Sequence, residues 1–158
     1  MTIWDLIDDG LCATMTCRPT DFLDETLDQM MDAGISEIAV KDYDGDIAGI
    51  VTDYDIMRAT NEKGTTGHGI SGERVHDWMT EDVIFCETNT TLEQAIGIMK
   101  NAGIHHLVIK DGHLLIGVIK LTDALTKLHV QDMQRVSTLR HQVMLANSDM
   151  RVSSSPSL

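Results

Sequence analysis

Leu23, Leu27 and Met30 stand at i, i+4 and i+7, and 69 positions later Leu92, Ile96 and Met99 repeat the pattern. Each triplet is one face of a helix, and each is followed by a glycine, Gly34 or Gly103, suited to the left-handed turn that ends a helix. Two nearly unbroken apolar runs come next, 37–41 with 47–51 in one copy and 106–110 with 114–119 in the other. Runs without alternation predict strands covered on both faces. A second helix opens near Asp53 and near Thr122, and an extended arm, 13–17 or 83–86, precedes each first helix.

The correspondence is residue by residue. Ala33-Gly34-Ile35 with Ile38-Ala39-Val40-Lys41-Asp42 matches Ala102-Gly103-Ile104 with Leu107-Val108-Ile109-Lys110-Asp111, and Cys17 matches Cys86 at the same spacing. One residue is lost where Asp44-Gly45-Asp46 faces Gly112-His113, so that Gly49 pairs with Gly117, Val51 with Ile119 and Asp55 with Asp123. A glycine turn between strands tolerates such a change, because the apolar pattern on either side sets the register. Two copies are too few for an open array. They predict a closed pseudo-twofold domain whose half-cores bury their apolar faces against each other, with function in the cleft between them.

The expected organisation is residues 1–63 as the first repeat with an N-terminal helix, a Gly-rich linker at 64–72, and a second repeat at 73–128. A C-terminal helix at 129–152 and a disordered tail at 153–158 complete the chain. No Gly or Pro occurs between Gly117 and Pro156, so the last helix can run from Leu121 to about Asp149. Val130, Met133, Val136, Leu139 or Arg140, Val143, Ala146 and Met150 give it an apolar stripe.

Composition narrows the function classes. With 158 residues, 42% hydrophobic but only 4% aromatic, the core is built from aliphatic side chains and ten methionines. A net charge of −13 opposes binding to nucleic acid or an anionic membrane, so an anionic ligand must be met by locally clustered base. Cys12, Cys17 and Cys86 form no C-x-x-C pair and fit a reducing compartment. The first residues lack a basic segment followed by an apolar stretch, and no apolar run approaches ~20 residues, which reads as cytoplasmic. His68, His76, His105, His106, His113, His129 and His141 show no helical metal-ligand spacing, so a metal site is disfavoured. Neither a nucleophile with its base nor a phosphate loop is recognisable, which speaks against an enzyme.

Helix, strand, strand, helix, duplicated, with Gly49-Ile50-Val51-Thr52-Asp53-Tyr54-Asp55 and Gly117-Val118-Ile119-Lys120-Leu121-Thr122-Asp123 closing each second strand, resembles the tandem cystathionine-β-synthase (CBS) domain pair, or Bateman module. Val75-His76-Asp77-Trp78-Met79-Thr80 before the second arm belongs to the same pattern, and the resemblance covers about residues 3–128. It implies a mixed α/β (α+β) fold of two pseudo-symmetric repeats, each a small sheet packed with helices, here carrying a C-terminal helical extension.

The resemblance further implies an adenine nucleotide or adenosyl ligand, of the AMP, ADP, ATP or S-adenosylmethionine class, in the inter-repeat clefts, with no cofactor required. Asp55 would accept the ribose hydroxyls and Thr52 would bond a phosphate oxygen beside a helix N-terminus. The same residues also suit plain capping, Thr52 as N-cap and Asp55 and Asp123 as first-turn carboxylates. In the second copy Lys120 replaces the hydroxyl; it either supplies charge to a phosphate or fills the cleft, while Asp123 keeps the ribose role. His105 resembles a phosphate-facing histidine in the γ subunits of AMP-activated protein kinase, and strand alternation predicts that at most one of His105 and His106 lines the cleft. Ala39 and Val108 replace the family's frequent proline beside the adenine, and Thr14, Thr16 and Ile84 on the arms complete the expected ligand contacts.

The expected protein is a non-catalytic sensor: a homodimer that binds an adenosine-containing small molecule and signals to a downstream protein partner through its last helix. The reading from another class is a ligand-free dimerisation or scaffold module whose tail pairs with itself or with a kinase-like partner.

Overall fold

The structure, a computed structural model, describes residues 1–64 and 69–153, with side chains through residue 150. Residues 65–68 of the expected linker, His68 among them, and residues 154–158 of the expected tail lie outside the described residues. The chain divides into two units, 1–124 and 125–158.

In the first unit, α1 (Ile3–Asp8), β1 (Cys12–Ala13) and β2 (Thr16–Cys17) lead into α2 (Leu23–Ala33), β3 (Glu37–Lys41), β4 (Ile47–Thr52) and α3 (Asp53–Lys63). The second copy runs α4 (Val75–Trp78), β5 (Phe85–Glu87), α5 (Leu92–Ala102), β6 (His106–Asp111) and β7 (Leu114–Lys120). The apolar stripes of α2 and α5 are buried through Leu23, Met30, Leu92, Ile96 and Met99, and Gly34 and Gly103 end these helices at φ of 67° and 66°. The left-handed turn is where glycine is free of Cβ strain.

The strands form two sheets, β2-β3-β4 and β1-β7-β6-β5. The repeat governs them in detail: Thr16 pairs with Ala39 as Phe85 pairs with Val108, and both hairpins carry a register shift at equivalent places, after Val40 and after Ile109. Ala39, Ile50, Val108 and Val118, one from each long strand, make the apolar contact between the sheets.

The arms exchange partners, which the linear boundaries did not anticipate. β1 pairs not with its own repeat but with β7, Ala13 opposite Val118, and Thr80 reciprocates by bridging Ile50 of β4. α1 docks on the second repeat, where Ile3 N–H donates to the Thr90 carbonyl at 3.1 Å and Leu92 N–H to the Met1 carbonyl at 3.2 Å. α4 docks on the first, placing Val75 and Trp78 in a core with Leu23, Met30, Val51 and Ile56. The N-terminal helix assigned to the first repeat therefore covers the second. Each crossing needs a glycine under it: a Cβ on Gly49 would stand 2.7 Å from the Thr80 carbonyl oxygen, and one on Gly117 would be closer still to that of Ala13.

α6 (Leu121–Ser153) begins in the first unit and supplies the described part of the second, ending four residues beyond the expected Asp149. Val130, Met133, Val136, Leu139, Val143 and Met150 are all between 46% and 68% exposed. Among the described residues no helix is long and apolar enough to cross a membrane.

Candidate functional site

A cavity of about 580 Å³ opens between the repeats. Its apolar wall is Ile50 and Val108 from the inter-sheet contact together with Ile104. Two strand-to-helix turns face each other across it, one bringing Thr52 and Asp53, the other Lys120 and Thr122. Equivalent backbone bonds build both turns, Asp53 N–H to the Ser36 carbonyl at 2.9 Å and Leu121 N–H to the His105 carbonyl at 2.8 Å, so that Ser36 lies beside Thr52 and His105 beside Lys120. The segment 80–84 contributes Thr80, Asp82, Val83 and Ile84.

At the meeting of the repeats sits Glu37, 2% exposed. Its symmetry counterpart is His106, whose Nε2 lies 3.4 Å from Glu37 Oε2; the same oxygen accepts from Ser36 Oγ at 2.6 Å and has Lys120 Nζ at 3.8 Å. Burial alone would raise this carboxyl, but hydrogen bonds from His106 and Ser36 and the charge of Lys120 outweigh it and hold it below the usual carboxylate range. Lys120, expected to be either a phosphate contact or a plug, thus lines the cavity while paired with a buried anion.

Thr52, Lys120, His105, Val108 and Ile84 of the expected ligand residues are brought together in this cavity. Asp55, Asp123, Ala39, Thr14 and Thr16 are not among its lining residues. Asp55 is 4% exposed and points into the fold: one oxygen accepts from Thr52 N–H at 2.9 Å, and the other has Thr80 Oγ1 at 3.4 Å and Arg58 at 3.7 Å. It caps α3 and ties the 80–84 arm to it, the geometry of capping rather than of an open ribose acceptor. Arg58 extends the tie, donating to the Trp78 carbonyl at 3.1 Å with its guanidinium over the Trp78 ring. Asp53, two residues earlier on α3, lines the cavity instead. Ala39 is held in the inter-sheet contact at 1% exposure. Thr14 and Thr16 are exposed on the other arm, and Asp123 is half-buried.

Both His105 and His106 line the cavity, against the expectation of one. β6 begins only at His106, so His105 lies in the preceding bend, where strand alternation does not apply. Ser36, Asp53, Thr80 and Asp82 were missed. Ser36 could have been found as the repeat counterpart of His105. The thiols are poor nucleophiles here: burial, then the Glu37 charge, pushes Cys12 up to about 11, and burial, then Asp21, pushes Cys17 up to about 12.

The two arms differ in length between equivalent anchor points. Five residue steps separate Thr80, bridged to Ile50, from Phe85, paired with Val108; three separate Ala13, opposite Val118, from Thr16, paired with Ala39. At about 3.6 Å per extended residue the short arm reaches no more than ~11 Å and the long arm ~18 Å. Pseudo-symmetry makes the spans alike. The long arm therefore has more slack between its anchors than the short arm, and Thr80, Asp82, Val83 and Ile84 of the long arm line the cavity.

Comparison with known proteins agrees with this architecture. The CBS domain family model matches residues 13–62 and 75–130. A 17.7 kDa uncharacterized protein of Acidianus ambivalens is 29% identical over 119 residues, 74% of this chain and 69% of that protein. Among solved structures, a CBS-domain-containing protein of Agrobacterium tumefaciens aligns with a TM-score of 0.69 at 26% identity, over 79% of this chain and 91% of its own. The protein CBSX2, solved in complex with AMP, aligns with a TM-score of 0.63 at 21% identity, over 82% of this chain and 98% of its own.

Proposed function

Since the chain belongs to the CBS-domain family, we propose that it is a non-catalytic regulatory module that binds one adenosyl compound per chain in the cavity beneath residues 80–84. The observation that carries this reading is the cavity itself: about 580 Å³, within the range of small-molecule sites, with an apolar wall and convergent hydroxyls. Ile50, Val108 and Ile84 offer the apolar surface a purine needs, and the hydroxyl oxygens of Ser36, Thr52 and Thr80, whose protons go to Glu37 and Asp55, keep lone pairs for ribose hydroxyls. The fold-level likeness to the AMP complex of CBSX2 supports the same class. The assembly is a homodimer to which α6 contributes, because its apolar stripe is exposed along the chain's own surface and isolated helices rely on packing for stability.

Thermal melting with adenosine, AMP, ADP, ATP and S-adenosylmethionine tests the proposal. A compound at 100 times its Kd stabilises the fold by about 2.7 kcal/mol, a rise of roughly 5–11 °C for a chain of this size. A flat response across the whole series refutes the proposal and leaves a scaffold module. Saturation at two ligands per chain would contradict the restriction of binding to the cleft beneath the longer arm.

A further inference from the structure

We propose that the cavity selects against phosphate charge, so that its ligand is an adenosyl compound carrying no more than one phosphate group, and that Glu37, Asp53 and Asp82 are the residues that set this limit. The inference rests on the adenosyl reading of the cavity and adds the class of compound within it. Among the described residues lining the cavity Lys120 is the one Lys or Arg side chain, and its ammonium lies 3.8 Å from the buried Glu37 carboxylate. Its charge is therefore already answered within the protein. His106, which also faces the cavity, is drawn to the same carboxylate at 3.4 Å.

Glu37 lies behind the cavity wall, and two exposed carboxylates line the cavity itself: Asp53 at the first turn of α3 and Asp82 on the arm. Asp53 also lies where a phosphate would seek the N-terminus of α3, so the helix end most suited to an anion already carries one. His105 is left to meet an anion, because the hydroxyls of Ser36, Thr52 and Thr80 already donate to Glu37 and Asp55 and can only accept from a ligand, which suits ribose hydroxyls and at most a single phosphate. Each phosphate beyond the first would bring about one more negative charge among carboxylates of like sign, in a chain of net charge −13.

Calorimetric titration of the intact protein with adenosine, AMP, ADP and ATP, without added divalent cation, reads the selectivity directly. The expected order has adenosine and AMP tightest, with each further phosphate weakening binding by about three- to thirtyfold. Asp82→Asn, an exposed change on the arm, should narrow the gap between AMP and ATP by a similar factor, read as the ratio of the two affinities in the same protein. Glu37→Gln, which releases Lys120, should do so more strongly. ATP binding as tightly as AMP or more tightly, or an unchanged gap in Asp82→Asn, overturns the selectivity while the adenosyl reading stands. No binding by any member, adenosine included, overturns both.

Discussion

Gly49→Ala puts one methyl group where the 80–84 arm crosses β4. The new Cβ would lie 2.7 Å from the Thr80 carbonyl oxygen, 2.9 Å from Met79 Sδ and 3.1 Å from Met79 Cγ. The Met79 side chain can rotate away. The Thr80 carbonyl cannot, because it accepts the Ile50 N–H at 3.0 Å while Thr80 N–H donates to the Ile50 carbonyl at 2.9 Å. Relieving the clash stretches both bonds, at roughly 0.5–1.5 kcal/mol each, which agrees with the ~1–3 kcal/mol usual for an overpacked methyl group. For a chain of this length that lowers Tm by roughly 2–12 °C. The arm also carries Thr80, Asp82, Val83 and Ile84 into the cavity, so adenosine affinity should fall more than about tenfold, beyond what the modest loss of stability explains. Gly117→Ala is the matched control, since its methyl group meets Ala13 and Cys12 at the equivalent crossing, away from the cavity. It should lose comparable stability and keep its adenosine affinity. A Gly49→Ala protein that melts and binds like the parent, or a Gly117→Ala protein that loses adenosine equally, would refute the assignment of the arms.

Asp55→Ala should lower stability by about 1–3 kcal/mol in urea unfolding, because it removes the acceptor of Thr52 N–H and the partner of Thr80 and Arg58; an unchanged midpoint with lost adenosine binding would restore the direct ribose role. The Glu37 carboxyl titrates lower in the folded chain than in the unfolded one, so its contribution is fully present above its unfolded value and disappears as pH falls through the folded one. Melting between about pH 3 and 6 should therefore show a shallower acid loss in Glu37→Gln than in the parent, and identical slopes would exclude the network around Glu37 as its cause. Truncation after Leu128 should dissociate the proposed homodimer in sedimentation; an unchanged dimer would place the interface on the repeats and not on α6.

What the sequence made legible was everything that repeats. The stripes of α2 and α5, the glycines after them and the paired strands each appear twice, so every local signal was checked by its copy. The exchange of arms was not legible, because α1 and α4 are short and their helical pattern does not say which repeat they cover. The difference in arm length lies in the sequence, yet no apolar anchor marks where each arm starts; only the bridges from Ala13 to Val118 and from Thr80 to Ile50 reveal it. Asp55 illustrates a general limit of motif reading. A carboxylate three residues after a hydroxyl at a strand-to-helix turn is both a ligand pattern and a capping box, and the choice depends on Thr80 and Arg58, contributed by another arm and by the next turn of α3.

The exchanged arms give the cavity a direct mechanical meaning. Residues 80–84 lead into β5 of the second repeat, but their start is hydrogen-bonded to β4 and tied through Asp55 and Arg58 to α3 of the first. A compound seated beneath them touches the first repeat at Thr52 and the second at His105 and Lys120, while the arm above it belongs to both. Differential affinity for two poses of the repeats is what ligand control of a regulatory module requires. Here a change in the separation of the repeats must alter the arm's span, and the buried Glu37 with His106 and Lys120 resists such a change, since parting them would leave a carboxylate uncompensated. The ion cluster that we propose limits phosphate charge would thus also oppose the movement of the repeats that a bound ligand drives.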